Sequence, residues 1–207
     1  MRSKSTETSW PRLIVFFGLT ASGKSTLARL FAERHGYLHL NTDIVRRELA
    51  GIQPGEHGQA PVEQGIYTRA FSRRTYAELL QRAEKALEAG GPGVVLDGSF
   101  LVSAQRNQVV ELARAQGEQV MFIFCYCHKA TVQARLRQRH QDPQAVSDGN
   151  WEVYLHQLRQ FCEPEELPPE QRHQINTEKS PAELVEEVER LLTEGPARCR
   201  ESPLDAS

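Results

Sequence analysis

The chain has 207 residues, 39% of them hydrophobic and 25% charged, and a formal net charge of -2. That length suits one ample domain, and the near-balanced charge excludes the broad basic field that holds a long polyanion. Four cysteines at irregular spacing (125, 127, 162, 199) fit reduced thiols in a cytosol, and the polar opening MRSKSTETSWP lacks the apolar core of a secretory signal, so a soluble, cytoplasmic chain with no membrane partner is expected.

Residues 1–11 and 195–207 are polar and rich in Pro, Ser and Arg, and read as flexible tails around a single domain at 12–194. The first element is LIVFF at 13–17, a continuous apolar run of the kind a strand buried on both faces requires, and too short to span a bilayer. GLTASGKSTLA follows at 18–28 and opens a helical pattern that stops at Gly36. YLHL (37–40) is a second strand and leads into NTDIVRREL, where Asp43 and Arg46 share one helix face.

From 66 to 87 the residues Tyr67, Ala70, Phe71, Ala77, Leu80, Ala83 and Leu87 recur at helical spacing, and Gly90, Gly91 and Pro92 end that helix. VVLD (94–97) and VMFIFCYC (120–127) are further strands, and HQIN (173–176) is a weaker fifth. ATVQARLRQRH puts Arg135 and Arg139 on one helix face; the polar stretch HQDPQAVSDGNW then reads as a loop between helices, with a small lid at about 135–150. Ser180, Pro181 and Glu183 form a capping-box pattern ahead of Leu184, Val188, Leu191 and Leu192. Strands alternating with helices predict an α/β fold, a parallel sheet with helices on both faces and ligands at the carboxyl ends of the strands.

The spacing Gly18-x-x-x-x-Gly23-Lys24-Ser25 is that of a P-loop. The two glycines let the backbone curl so that N–H groups point at anionic oxygens, and the helix that follows adds its positive end. Lys24 can neutralise β- and γ-phosphates, and the Ser25 hydroxyl can ligate Mg²⁺. Thr20, Ala21, Ser22 and Thr26 complete the candidate cradle. Asp97, at the end of an apolar strand, is placed to orient the metal or its water; a loop or capping role is the alternative, since Gly98 and Ser99 follow. Asp43 and Arg46 supply a carboxylate to take a hydroxyl proton and a cation to position an acceptor, although an Asp at a helix start with a solvated Arg fits the spacing as well. Tyr67 and Phe71 fit helical core, with stacking on a base or sugar as the alternative. Cys125-x-Cys127-His128 has no second Cys pair of matching spacing and reads as buried thiols rather than a zinc site.

These stretches, with LNTDIVRREL, GVVLDGSF and INT, occur in an order that resembles the P-loop small kinases: polynucleotide 5′-hydroxyl kinases, zeta toxins, gluconate kinase and chloramphenicol phosphotransferase, and among them the bacterial kinases grouped as AAA-family ATP-binding proteins. The resemblance implies a three-layer P-loop fold with a five-stranded parallel sheet of order 2-3-1-4-5, and an ATP- and Mg²⁺-dependent kinase. It implies Asp43 as general base and Arg46 as acceptor ligand, with Asp97 at the metal and Arg139 at the phosphates. Arg135 would lie near adenine, and Asn176 and Thr177 where relatives wrap the base. Arg47 and Arg106 are expected to border the acceptor. The acceptor is expected to be a small hydroxyl-bearing metabolite, with a nucleic-acid 5′-hydroxyl as the alternative and an ATP-binding switch or ATPase module as the reading of another class. The chain departs from many relatives in writing Asp97-Gly98-Ser99 where they write Asp-Ala-Thr.

Overall fold

Five runs of apolar sequence form one parallel sheet: β1 (Leu13–Phe17), β2 (Leu38–Asn41), β3 (Val94–Gly98), β4 (Val120–Tyr126) and β5 (Arg172–Asn176), in the order β2-β3-β1-β4-β5. The order is the one the family resemblance implies. The computed structural model describes residues 10–52, 65–140 and 150–194, and of Arg139 and His140 only the backbone. The tails at 1–9 and 195–207 and the lid residues 141–149 therefore lie outside the described residues.

The helices are α1 (Lys24–His35), α2 (Thr42–Leu49), α3 (Arg69–Glu88), α4 (Ser103–Gln116), α5 (Lys129–His140), α6 (Trp151–Gln160) and α7 (Pro181–Glu194). Successive residues of a strand face opposite sides, so β1 feeds two cores. Leu13, Val15 and Phe17 pack with Leu79, Ala83 and Leu87 of α3 and with Val109 and Ala113 of α4. Ile14 and Phe16 pack with Leu27 and Phe31 of α1 and with Leu184 and Val188 of α7. All five β1 residues are fully buried, which is why that run has no polar alternation.

Local signals set the helix ends. Gly36 closes α1 in the left-handed region at φ 70. The Asn41 side chain accepts from Asp43 N and Ile44 N and caps α2. At α7, Ser180 N donates to Glu183 Oε2 at 3.0 Å and Glu183 N donates to Ser180 Oγ at 3.4 Å, the reciprocal pair that the sequence pattern predicts.

Two expectations are corrected. Helix α3 begins at Arg69, behind a 3-10 turn at Gly65–Tyr67, because the Thr68 hydroxyl caps it by accepting from Phe71 N. Its buried stripe is Thr75, Tyr76, Leu79, Ala83 and Leu87, while Ala70 and Ala77 are exposed and Tyr67 and Phe71 are half-buried outside the core. Hydrogen bonds make the polar members of that stripe compatible with burial: Thr75 Oγ1 donates to Phe71 O, and the Tyr76 hydroxyl accepts from Phe100 N. At the other boundary, Trp10 and Pro11 belong to the packed body rather than to a tail. The Trp10 ring lies 5.9 Å from Phe31 and 4.8 Å from His35, and Pro11 is buried. No described helix is long and apolar enough to cross a membrane.

Candidate active site

β1 runs directly into the 18–23 loop and α1, so the loop sits at the carboxyl end of the central strand. Gly23 has φ 88, a region costly for a side chain, and a Cβ there would stand 2.8 Å from Thr177 Oγ1. Ala21 also has a positive φ, 59. No side chain caps α1 and its first turn carries no acid, so its first N–H groups and its positive end are left for an anion. Ser22 Oγ is buried without a hydrogen-bond partner, a polar orphan inside the cradle. A phosphate fits these features.

The two metal candidates are hydrogen-bonded to each other. Ser25 Oγ donates to Asp97 Oδ1 at 3.1 Å, and Asp97 is fully buried. Its other oxygen meets His39 Nε2 at 3.2 Å and accepts from Asn41 Nδ2. The register brings Asn41 opposite Asp97, so the carboxylate, itself on β3, is gripped by β2 and by the P-loop helix. Ser25 and Asp97 are hard oxygen ligands that suit Mg²⁺ beside a phosphate. His39 and Asn41 escaped the sequence reading, although two polar residues at alternate positions of one strand were a visible sign of a polar sheet edge.

The residues expected near the base are tied to the P-loop. Thr177 is buried, and its hydroxyl lies 2.5 Å from Ser22 O and 3.2 Å from Tyr126 O. Arg135 donates from Nη1 to Thr177 Oγ1 (3.0 Å) and Ala21 O (3.2 Å), and from Nη2 to Thr177 O (2.6 Å). Both residues thus brace the P-loop backbone. Asn176 is half-buried and turns into its own loop, accepting from Glu178 N and donating to Glu178 Oε2. Glu178, not singled out from the sequence, also accepts from Thr131 and bonds His128. The Thr131 hydrogen bond foremost, with those of His128 and Asn176, lowers its pKa to about 2.

Asp43 is half-buried at the head of α2, two residues past Asn41. Arg46 is buried; its Nη1 donates to Ile66 O (2.9 Å) and Ser72 Oγ (3.2 Å), its Cζ lies 5.1 Å from the Tyr67 ring centre, and its Nε is buried without a partner. Burial foremost pushes the nearby Tyr76 phenol above its ordinary pKa. Arg47 is half-buried.

Arg106 does not reach an acceptor pocket. It is fully buried, with Nε and Nη2 on Glu166, Nη1 on Phe100 O and Nη2 also on Glu163 O. Its donors are consumed in tying the segment after α6 to the start of α4. The Arg139 side chain lies outside the description. Cys125 is buried with its thiol pushed far up by burial, and Cys127, just past the end of β4, is half-buried. Among the described residues no group of three or more His, Cys, Asp or Glu could hold a metal ion.

Above the P-loop, Leu19 and Ala21 pack with Val132 and Leu136 of α5 and Tyr154 of α6. From α6, Gln157 Oε1 accepts from Thr20 N at 2.7 Å. Lys24 Nζ donates to Leu19 O at 3.2 Å.

A family model described as an AAA domain, AAA_33, matches residues 13–164, and the chain belongs to that family. Its fold is shared with solved structures of several small kinases. An uncharacterized protein of Mycobacterium tuberculosis is 41% identical over 91 residues, 43% of this chain and 18% of the relative. Adenylate kinase isoenzyme 5 of Bos taurus is 28% identical over 184 residues, 84% of this chain and 31% of the relative. The chain therefore spans less than a third of the length of either relative. Among solved structures, a gluconokinase from Sinorhizobium meliloti matches with a TM-score of 0.61 at 20% identity, over 89% of this chain and 93% of that one. The Mycobacterium tuberculosis APS kinase, solved with AMPPNP and APS, matches with a TM-score of 0.60 at 18% identity, over 88% and 98%.

Proposed function

We propose that the protein is an ATP- and Mg²⁺-dependent kinase that transfers the γ-phosphoryl group to a hydroxyl of a small metabolite. The observation that carries this is the junction of Ser25 with the buried Asp97 at the mouth of the P-loop, where Asp97 also accepts from Asn41, two positions before Asp43. A metal cradle and a carboxylate at the head of the neighbouring helix are the two halves of phosphoryl transfer to an alcohol. The fold-mates named for gluconate and APS support a small acceptor.

In this reading the loop N–H groups and Lys24 hold the β- and γ-phosphates. Ser25 and Asp97 hold Mg²⁺, which supplies charge neutralisation on the phosphate oxygens when bound. Arg46, with a buried Nε still to be satisfied, holds the acceptor. Asp43 accepts the hydroxyl proton as the acceptor oxygen bonds to phosphorus and ADP departs. Asn176 and Thr177 form the loop beside the base, and Arg135 braces it. Among the described residues the arginines from 46 to 82 differ in setting: Arg46 is buried, Arg47 is half-buried, Arg82 pairs with Glu48 and Glu78, and Arg69, Arg73 and Arg74 are exposed on α3. That mixed setting, with the net charge of -2, favours a metabolite over a nucleic-acid end.

The test is transfer from γ-labelled ATP with Mg²⁺ to a panel of sugars, sugar acids, hydroxy acids and a short 5′-hydroxyl oligonucleotide. Label on a small hydroxyl compound is expected. Asp43→Asn should keep nucleotide binding and slow transfer by ~10²–10⁴. Release of bare phosphate alone, or transfer untouched by Asp43→Asn, would overturn the reading; label on the oligonucleotide would reassign the acceptor.

A further inference from the structure

Helix α6 contributes one polar contact to the P-loop that no motif announces. The Leu19–Thr20 peptide is held from both sides. Its N–H donates to Gln157 Oε1 at 2.7 Å. Its carbonyl accepts from Lys24 Nζ at 3.2 Å and from Ser22 N at 3.2 Å. A peptide unit is planar, so fixing the direction of its N–H fixes the direction of its C=O. Gln157 thus sets where the Leu19 carbonyl points, and the Leu19 carbonyl is what the Lys24 ammonium rests on.

The support beneath Gln157 is rigid. Tyr154, one turn earlier on α6, is buried against Leu19 and Ala21, and its ring stacks on Trp151 with centres 5.0 Å apart. The carboxamide is therefore presented from a packed helix, not from a loop.

We propose that Gln157 is a positioning residue of the kinase: by accepting the Thr20 N–H it orients the Leu19–Thr20 peptide and through it places Lys24 for the β- and γ-phosphates. The inference rests on the kinase reading above. It says nothing of a contact between Gln157 and the nucleotide; the effect passes through Lys24.

A double-mutant cycle tests this, read by equilibrium binding of a fluorescent non-hydrolysable ATP analogue. Gln157→Met keeps the length and packing of the side chain and removes the acceptor. Alone it should weaken binding by roughly threefold to tenfold, the size of one hydrogen bond. In the Lys24→Ala background, where there is no ammonium to place, the same change should have almost no effect. Thermal unfolding of each variant, followed in parallel, should show Gln157→Met and wild type within a few degrees of each other. An equal loss in both backgrounds, or no loss in either, would overturn the inference. So would a collapse of thermal stability that accounts for the lost binding. If the wild-type chain binds no analogue, the kinase reading falls and this inference with it; normal wild-type binding that is blind to Gln157 sinks the inference alone.

Discussion

Gly23 carries two demands at one atom. Its φ of 88 and the 2.8 Å that would separate a Cβ from Thr177 Oγ1 both exclude a side chain. Gly23→Ala should destabilise the fold by ~1–3 kcal/mol through backbone strain, and should weaken nucleotide binding further because relief requires the loop to move. Thermal unfolding and an ATP-analogue titration check the two effects separately. His173 is the residue with a pH signature. It is buried on β5 with Nε2 unpartnered, and burial lowers its pKa. A His that is neutral in the folded state and free to protonate when unfolded contributes stability above the unfolded pKa of about 6.5. That contribution is lost as the pH falls through the depressed folded value. The urea midpoint of wild type should therefore drop between pH 7.5 and 5.5 more steeply than that of His173→Leu.

At the scale of elements, the segment that follows α6 is tied down in part by one ion pair. Arg106 is fully buried and Glu166 is 22% exposed. Burial alone would raise the Glu166 carboxyl, but the Arg106 hydrogen bonds and charge bring it below its ordinary pKa. Removing one member leaves a charge without its partner, which typically costs about 3–5 kcal/mol when both are buried; the partial exposure of Glu166 puts Arg106→Met toward the lower end. Arg106→Met/Glu166→Met should recover much of the loss, measured by urea unfolding. The elements themselves were largely legible because strands buried on both faces must be written as unbroken apolar runs, and LIVFF occupies Leu13–Phe17 as such. The face of α3 was misread because Thr75 and Tyr76 are buried through hydrogen bonds that no hydropathy pattern displays.

Across the whole molecule, the site draws on the first strand, the second, the third, α5, α6 and the loop before α7, segments spread over more than 150 residues. Motif spacing exposed what is local, Gly18 to Ser25. It could not expose Gln157, whose partner Thr20 is 137 residues away, nor the burial of Arg106, whose partner Glu166 is 60 away. A ligand that binds where so many segments converge should stabilise them together. With an ATP analogue at a hundred times its Kd, the gain is about 2.7 kcal/mol. For a domain of this size that corresponds to a rise in Tm of roughly 5–10 °C. Differential scanning calorimetry should show the rise in wild type and, at the same analogue concentration, a much smaller one in Lys24→Ala.

Gly98 is closed in by the neighbouring strand–helix junction. A Cβ there would stand 2.6 Å from the Thr42 Cγ2 methyl, 3.0 Å from its Oγ1 and 3.1 Å from the Phe100 ring, so an alanine at this position requires Thr42 to shift. Gly98→Ala should be damaging alone and tolerated in a Thr42→Ser background, where the methyl is gone and the hydroxyl can rotate. The strand end that carries Asp97 and the head of α2 are thus an interlocked pair, in which the residue at 42 sets what position 98 can accept.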